Sequence, residues 1–107
     1  MVAVLRTDDF DSWLRRLKDR QGKLRILERI DRLANGNAGD AKSVGRGVWE
    51  LRMTYGPGYG VYYLRDGDQL ILLLCGGDKS TQQKDISRAH RLAQDWRSEE
   101  GNDDDPE

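Results

Sequence analysis

The side chains of this 107-residue sequence best equipped for chemistry are cations. In Val48–Tyr55, Trp49, Leu51, Met53 and Tyr55 alternate with Glu50, Arg52 and Thr54, the period of a strand with one buried face. Trp49, Leu51 and Met53 are expected in the core, with Arg52 on the opposite, open face. Tyr59–Arg65 reads as the return strand; with Val61 and Tyr63 toward the core, Gly60, Tyr62 and Leu64 share the face of Arg52. A glycine there is odd, because it packs nothing and weakens a strand. Gly36–Gly47 is glycine-rich and is expected to be a long loop delivering Lys42 and Arg46 beside the sheet. It has no phosphate-loop pattern: no Gly-Lys-Ser/Thr, no strand before it and no helix after it.

The same residues argue against other chemistries. One cysteine excludes an internal disulfide, and with a single histidine it makes a poor basis for a His/Cys metal site. Cys75 ends an apolar strand and reads as buried packing rather than a reactive thiol. No run is long enough to cross a membrane and no secretory signal opens the chain, so a cytoplasmic location is expected.

Elements must then position the cations. Val2–Leu5 reads as a first strand. Thr7 is an N-cap ahead of Asp8 and Asp9, and Phe10, Trp13, Leu14 and Leu17 at helical spacing predict a helix over Asp8–Arg20. Leu24, Leu27, Ile30 and Leu33 predict a second helix ending at Asn35-Gly36. Together they form a hairpin whose outer face carries cations including Arg15, Arg16 and Arg29; that face is read as solvated surface, with nucleic-acid contact as the alternative. Gly56-Pro57-Gly58 and Asp66-Gly67-Asp68 are turns, and Gln69–Cys75 runs apolar without alternation, as for a strand covered on both faces. Gly76-Gly77 should end that strand. Ser80 with Gln83 resembles a capping box, and Ile86, Ala89, Leu92, Ala93 and Trp96 predict a last helix to about Arg97. The order is β-α-α-β-β-β-α, an α+β fold in one domain over residues 1–97.

Charge is unevenly spread. Ser98–Glu107 holds six acids and no base, which leaves 18 basic against 13 acidic residues in the rest of the chain. Such a body favours polyanions. Residues 98–107 have no apolar residue to bury and are expected to be a disordered, solubilising acidic tail, the alternative being a tail that folds over the basic face and competes with RNA.

This order, with RIDRLANGN (Arg29–Asn37), ELRMTYGPGYGVYY (Glu50–Tyr63) and LLLCGGDKSTQQKDI (Leu73–Ile86), resembles the RelE/ParE superfamily of bacterial toxins, and within it the HigB-type branch of addiction-module killer proteins. The match covers roughly residues 3–97. The resemblance implies a RelE-like fold, a small mostly antiparallel sheet packed against a helical hairpin plus a C-terminal helix. It implies a toxin neutralised by a helix-turn-helix antitoxin protein. It also implies a ribosome-dependent mRNA interferase, an endoribonuclease that needs no metal and no cofactor. In such cleavage a base takes the 2′-hydroxyl proton, the oxygen attacks phosphorus, an acid protonates the departing 5′-oxygen, and cations stabilise the transition state.

Roles carry over residue by residue. Lys79 stands where relatives hold a basic residue and is assigned charge stabilisation, or general acid if buried among other cations, the alternative being a surface lysine that caps the loop. Arg52 would hold a phosphate, unless it is spent in a cross-strand ion pair. Tyr62 would stack on a base or orient the ribose, the alternative being packing. Lys84, with Lys42 and Arg46, would reach phosphates; His90 is read as a surface residue. Relatives usually read GPGYR where this chain reads Gly58-Tyr59-Gly60-Val61, so the position of a common catalytic arginine is Gly60. The resemblance therefore implies a weakened or inactive toxin that still folds and binds its antitoxin. The alternatives are a ParE-like inhibitor that poisons DNA gyrase without cutting RNA, and a non-toxic RNA- or protein-binding domain.

Overall fold

The computed structural model describes residues 2–103, with side chains as far as residue 99. The elements are β1 (Ala3–Arg6), α1 (Asp8–Arg16), α2 (Arg20–Ala34), β2 (Ala41–Gly45), β3 (Val48–Met53), β4 (Tyr59–Asp66), β5 (Leu70–Asp78) and α3 (Gln82–Asp103), the last preceded by a 3-10 turn at Lys79–Thr81. One five-stranded sheet runs in the order β1-β5-β4-β3-β2, with β1 parallel to β5 and every other pair antiparallel. This is the expected α+β fold with one strand more. The region read as a loop contains β2, whose Ala41, Lys42 and Ser43 pair with Leu51, Glu50 and Trp49. Its composition is poor in strand formers; the free edge of β3 supplies the order that local propensity does not.

Capping sets the helices. The Thr7 side chain accepts the Phe10 N–H at 3.0 Å, as expected. Asp19 accepts the Gly22 N–H at 3.0 Å and starts a new helix there, so α1 stops at Arg16 rather than Arg20. Before α3 the cap is Asp78, whose carboxylate takes the Ser80 N–H at 2.9 Å, in place of the expected Ser80–Gln83 box. α3 continues to Asp103, beyond the expected end at Arg97 and into the segment expected to be disordered; residues 104–107 lie outside the described residues.

The sheet is covered on both faces. On one, Leu51, Met53, Val61, Tyr63, Ile71 and Leu73 pack with Phe10, Leu14, Ile26 and Leu33 of the helical hairpin. On the other, Val48, Tyr62, Leu64, Leu72, Leu74 and Cys75 pack with Ala89 and Ala93 of α3. The face expected to be open is therefore largely closed by α3. Trp49, expected in the core, is 40% exposed.

β5 reconciles the two layers through a bulge. Tyr62 pairs with Cys75 and Tyr63 with Leu73, leaving Leu74 as the extra residue. Its carbonyl accepts the Thr7 hydroxyl at 2.6 Å. Beyond the bulge the strand continues through Gly76-Gly77, which do not end it. They are places of close approach: a Cβ on Gly76 would enter the Trp13 indole, and one on Gly77 would enter the Asp85 carboxylate. No helix among the described residues is long and apolar enough to cross a membrane. Gly76→Ala is expected to destabilise the fold by about 1–3 kcal/mol, because a ring packed on backbone has no room to yield; urea unfolding monitored by Trp fluorescence measures it, and an unchanged midpoint would refute the packing argument.

Candidate functional site

α3 begins only at Gln82, so one end of its sheet face, beside the β3–β4 turn, stays uncovered. There a cleft of about 430 Å³ is lined by Lys42, Arg52 and Lys79, with Glu50, Gly60 and Gln82 among its other walls. Cross-strand pairing places these groups: Lys42 lies opposite Glu50, Glu50 opposite Tyr62, and Arg52 opposite Gly60. Lys79 is set by its backbone N–H, which donates to the Gly58 carbonyl at 3.2 Å and ties the start of the 3-10 turn to the β3–β4 turn.

The expected cations divide. Lys42, Arg52 and Lys79 meet in the cleft. Arg52 also reaches Asp40 at 3.6 Å, an exposed pair that leaves the guanidinium free to exchange partners. Lys79 is exposed, without the burial among cations that a general-acid role required. Lys84 lies apart on the outer side of α3 with Arg88 and Arg91, and Arg46 lies at the far end of β2, near Arg97. Arg29, read as outer surface, is a clamp: its guanidinium donates to the carbonyls of Arg52 at 2.7 Å and Ala38 at 3.0 Å.

Tyr62 is not available to a base. It is 1% exposed beneath α3, and its hydroxyl donates to Glu50 Oε2 at 3.1 Å. Burial, then the charge of Glu50, push its phenol far up. Glu50 was the residue that alternation alone could not single out. It is 5% exposed and also accepts from Gln82 Nε2 at 3.2 Å and 3.0 Å. Its placement explains Gly60: a Cβ there would stand 2.8 Å from Glu50 Oε2 and 3.2 Å from the Tyr62 hydroxyl. An arginine at 60 would have to displace the Glu50 carboxylate from its partners. Cys75 is buried as expected, and burial pushes its thiol up to about 12, which suits packing and not attack. His90, read as a free surface residue, is half-buried and bound through Nε2 to the carbonyls of Val44 at 3.0 Å and Gly45 at 3.2 Å.

The family model of the Phage derived protein Gp49-like proteins (DUF891) matches residues 12–95, most of the helical hairpin, the sheet from β2 to β5 and most of α3. The chain belongs to this family. Gp49-like proteins are related to RelE-type toxin–antitoxin modules, which agrees with the resemblance at the level of the superfamily. An uncharacterized protein of Haemophilus influenzae is similar: 51% identical over 94 residues, which make up 88% of this chain and 95% of the relative.

One further contact fixes the rim of the cleft. Tyr59 donates to Asp19 Oδ2 at 2.6 Å, joining the cap of α2 to β4. Burial and that hydrogen bond push the Tyr59 phenol up to about 12, while the Tyr59 hydroxyl, then the Gly22 N–H, hold Asp19 below its usual 3.8. A lowered carboxylate adds stability above its unfolded value, and loses it as pH falls through the folded one. Tyr59→Phe is expected to raise the Asp19 midpoint toward 3.8 in a carboxyl-carbon NMR titration and to shrink the acid-labile part of the stability; an unmoved midpoint would show that the hydrogen bond does not hold the cap. Tyr62→Phe, which removes one of the donors to Glu50, is expected to cost about 1–3 kcal/mol in urea unfolding. No loss there would mean that Glu50 does not need Tyr62.

Proposed function

We propose that this chain is the toxin of a type II toxin–antitoxin module and acts as a metal-independent endoribonuclease on mRNA in the ribosome. The observation that supports this best is the cleft, where three cations of separate strands and turns surround one nearly buried acid. In this reading Arg52 and Lys79 take the charge that grows on phosphorus, and Lys42 holds a neighbouring phosphate. Glu50 takes the 2′-hydroxyl proton, the freed oxygen bonds to phosphorus as the bond to the 5′-oxygen breaks, and solvent water protonates the departing 5′-oxygen. Each carboxylate oxygen has two acceptor sites, and Gln82 occupies one on Oε1. Tyr62 and Gln82 position that carboxylate. Gly60 removes the guanidinium that relatives usually place beside it, so cleavage is weak relative to them. A helix-turn-helix antitoxin protein covers the toxin and keeps it silent by mass action. Its site of action is the cytoplasm.

Gly60 also lends weight to a second reading, a ParE-like poison of DNA gyrase that cuts no RNA. Induction in a bacterial host, with growth followed alongside primer extension on translated mRNA, separates the two. The parent is expected to arrest growth and create new 5′ ends inside coding sequence, and Gly60→Arg to change the yield of those ends, because it adds a guanidinium and moves the Glu50 carboxylate. Arg52→Ala with Lys79→Ala is expected to lower cleavage by about a hundredfold or more. Arrest with DNA-damage signalling and no new ends would replace this reading with the gyrase one. No arrest from either version would overturn both.

A further inference from the structure

The far end of β2 carries a second group of cations that the cleft does not use. Gly45 pairs with Val48, so Arg46-Gly47 is a two-residue hairpin loop; φ is 57° at Arg46 and 78° at Gly47, the pattern of a type I′ turn. Asn or Gly is the usual first residue of such a turn. Arginine is a poor choice for that backbone, and among the described non-glycine residues Arg46 alone has positive φ. Strain of this kind points to the side chain as the reason for the residue.

The loop is built around a second guanidinium. A Cβ on Gly47 would stand 2.6 Å from Arg97 Nη2, so the Arg97 side chain lies directly on the turn. His90 pins the same hairpin to α3 through the Val44 and Gly45 carbonyls. Arg46, His90 and Arg97 line one concavity with Gln94 and Ser98, and no acid is among its walls as far as the described residues go. Neither arginine takes part in an ion pair among the described residues. Two like charges gathered at one turn, with no carboxylate paired to either among the described residues, favour an anion between them.

The position of this group says which anion. Lys42 lies near the start of β2 and Arg46 in the turn that follows it, at most about 13 Å apart at the rise of an extended strand and less across the irregularity between Ser43 and Gly45. Lys42 belongs to the cleft and Arg46 to the hairpin site. A ligand engaging both must carry negative charge repeatedly along an extended chain. We propose that Arg46 and Arg97, with His90 as a positioning residue, form a second phosphate-binding site that holds the backbone of a single-stranded RNA lying across the cleft. This rests on the RNA-directed reading above and adds to it where the strand runs.

The test is binding of a fluorescent RNA dodecamer to the full chain, by anisotropy across a salt series. Arg46→Asn keeps the turn, since Asn suits that backbone, and is expected to raise the melting temperature while it weakens binding. Combined with Arg97→Gln it should lower affinity about tenfold and flatten the slope of log K against log salt by roughly 1–1.5. A trinucleotide, too short to span both sites, should be insensitive to the pair yet weakened by Arg52→Gln. Unchanged dodecamer affinity and slope in the double variant, or no RNA binding by the parent, would overturn the site. Growth arrest is scored separately: a toxin that cuts mRNA with Arg46 and Arg97 both dispensable keeps the proposed function and loses only this site, whereas an RNA binder that arrests nothing keeps the site and loses the function.

Discussion

The structure depends on β5 being buried on both faces while its neighbours must satisfy two different layers. A strand of strict alternation would send Leu74 and Cys75 to opposite sides. The bulge at Leu74 turns both toward α3, and the Thr7 hydroxyl takes up the carbonyl that the bulge exposes. Past the bulge the strand has no side chains for two residues, and the layers close on it from both sides: Trp13 against Gly76, Asp85 against Gly77. That closeness seats α1 on one face and the first turn of α3 on the other.

The cleft follows from where α3 starts. With Asp85 drawn onto Gly77 and Asp78 capping the turn at Ser80, the helix covers the sheet from Gln82 onward and no earlier. The strip of sheet left bare holds Lys42, Glu50, Arg52 and Gly60, and the edge of the helix adds Gln82 and Lys79. Glu50 can remain in that strip, nearly buried, because Tyr62 and Gln82 saturate much of its hydrogen-bonding capacity. Gly60 and Glu50 are one feature seen from two strands: the missing side chain is the space that the carboxylate occupies. The glycine that departs from the family pattern is a fitted packing solution.

Membership of the Gp49-like family gives this arrangement a setting in toxin–antitoxin biology without deciding the chemistry. The cations that resemblance put forward do not act as one group. Lys42, Arg52 and Lys79 share a cleft, Lys84 sits on the outer side of α3, and Arg46 belongs to the hairpin end. A basic body of this kind is better described as discrete sites than as a uniform positive face.

By itself the sequence determined the elements whose signals are local. Thr7 capped α1 because a hydroxyl beside a free N–H needs no tertiary partner, and the β3–β4–β5 meander followed from alternation and from turn residues. Cys75 was legible as packing because an apolar run covered on both faces leaves a thiol nowhere else to go. Tertiary structure decided the rest. β2 formed because β3 offered an unpaired edge, not because its own residues favour a strand. Period-two alternation says which residues share a face but not what lies above it, so it puts Tyr62 on an open surface that α3 in fact covers. Glu50 alternates like any surface acid; only the meeting of β3, β4 and α3, three segments far apart in sequence, makes it the floor of a cleft.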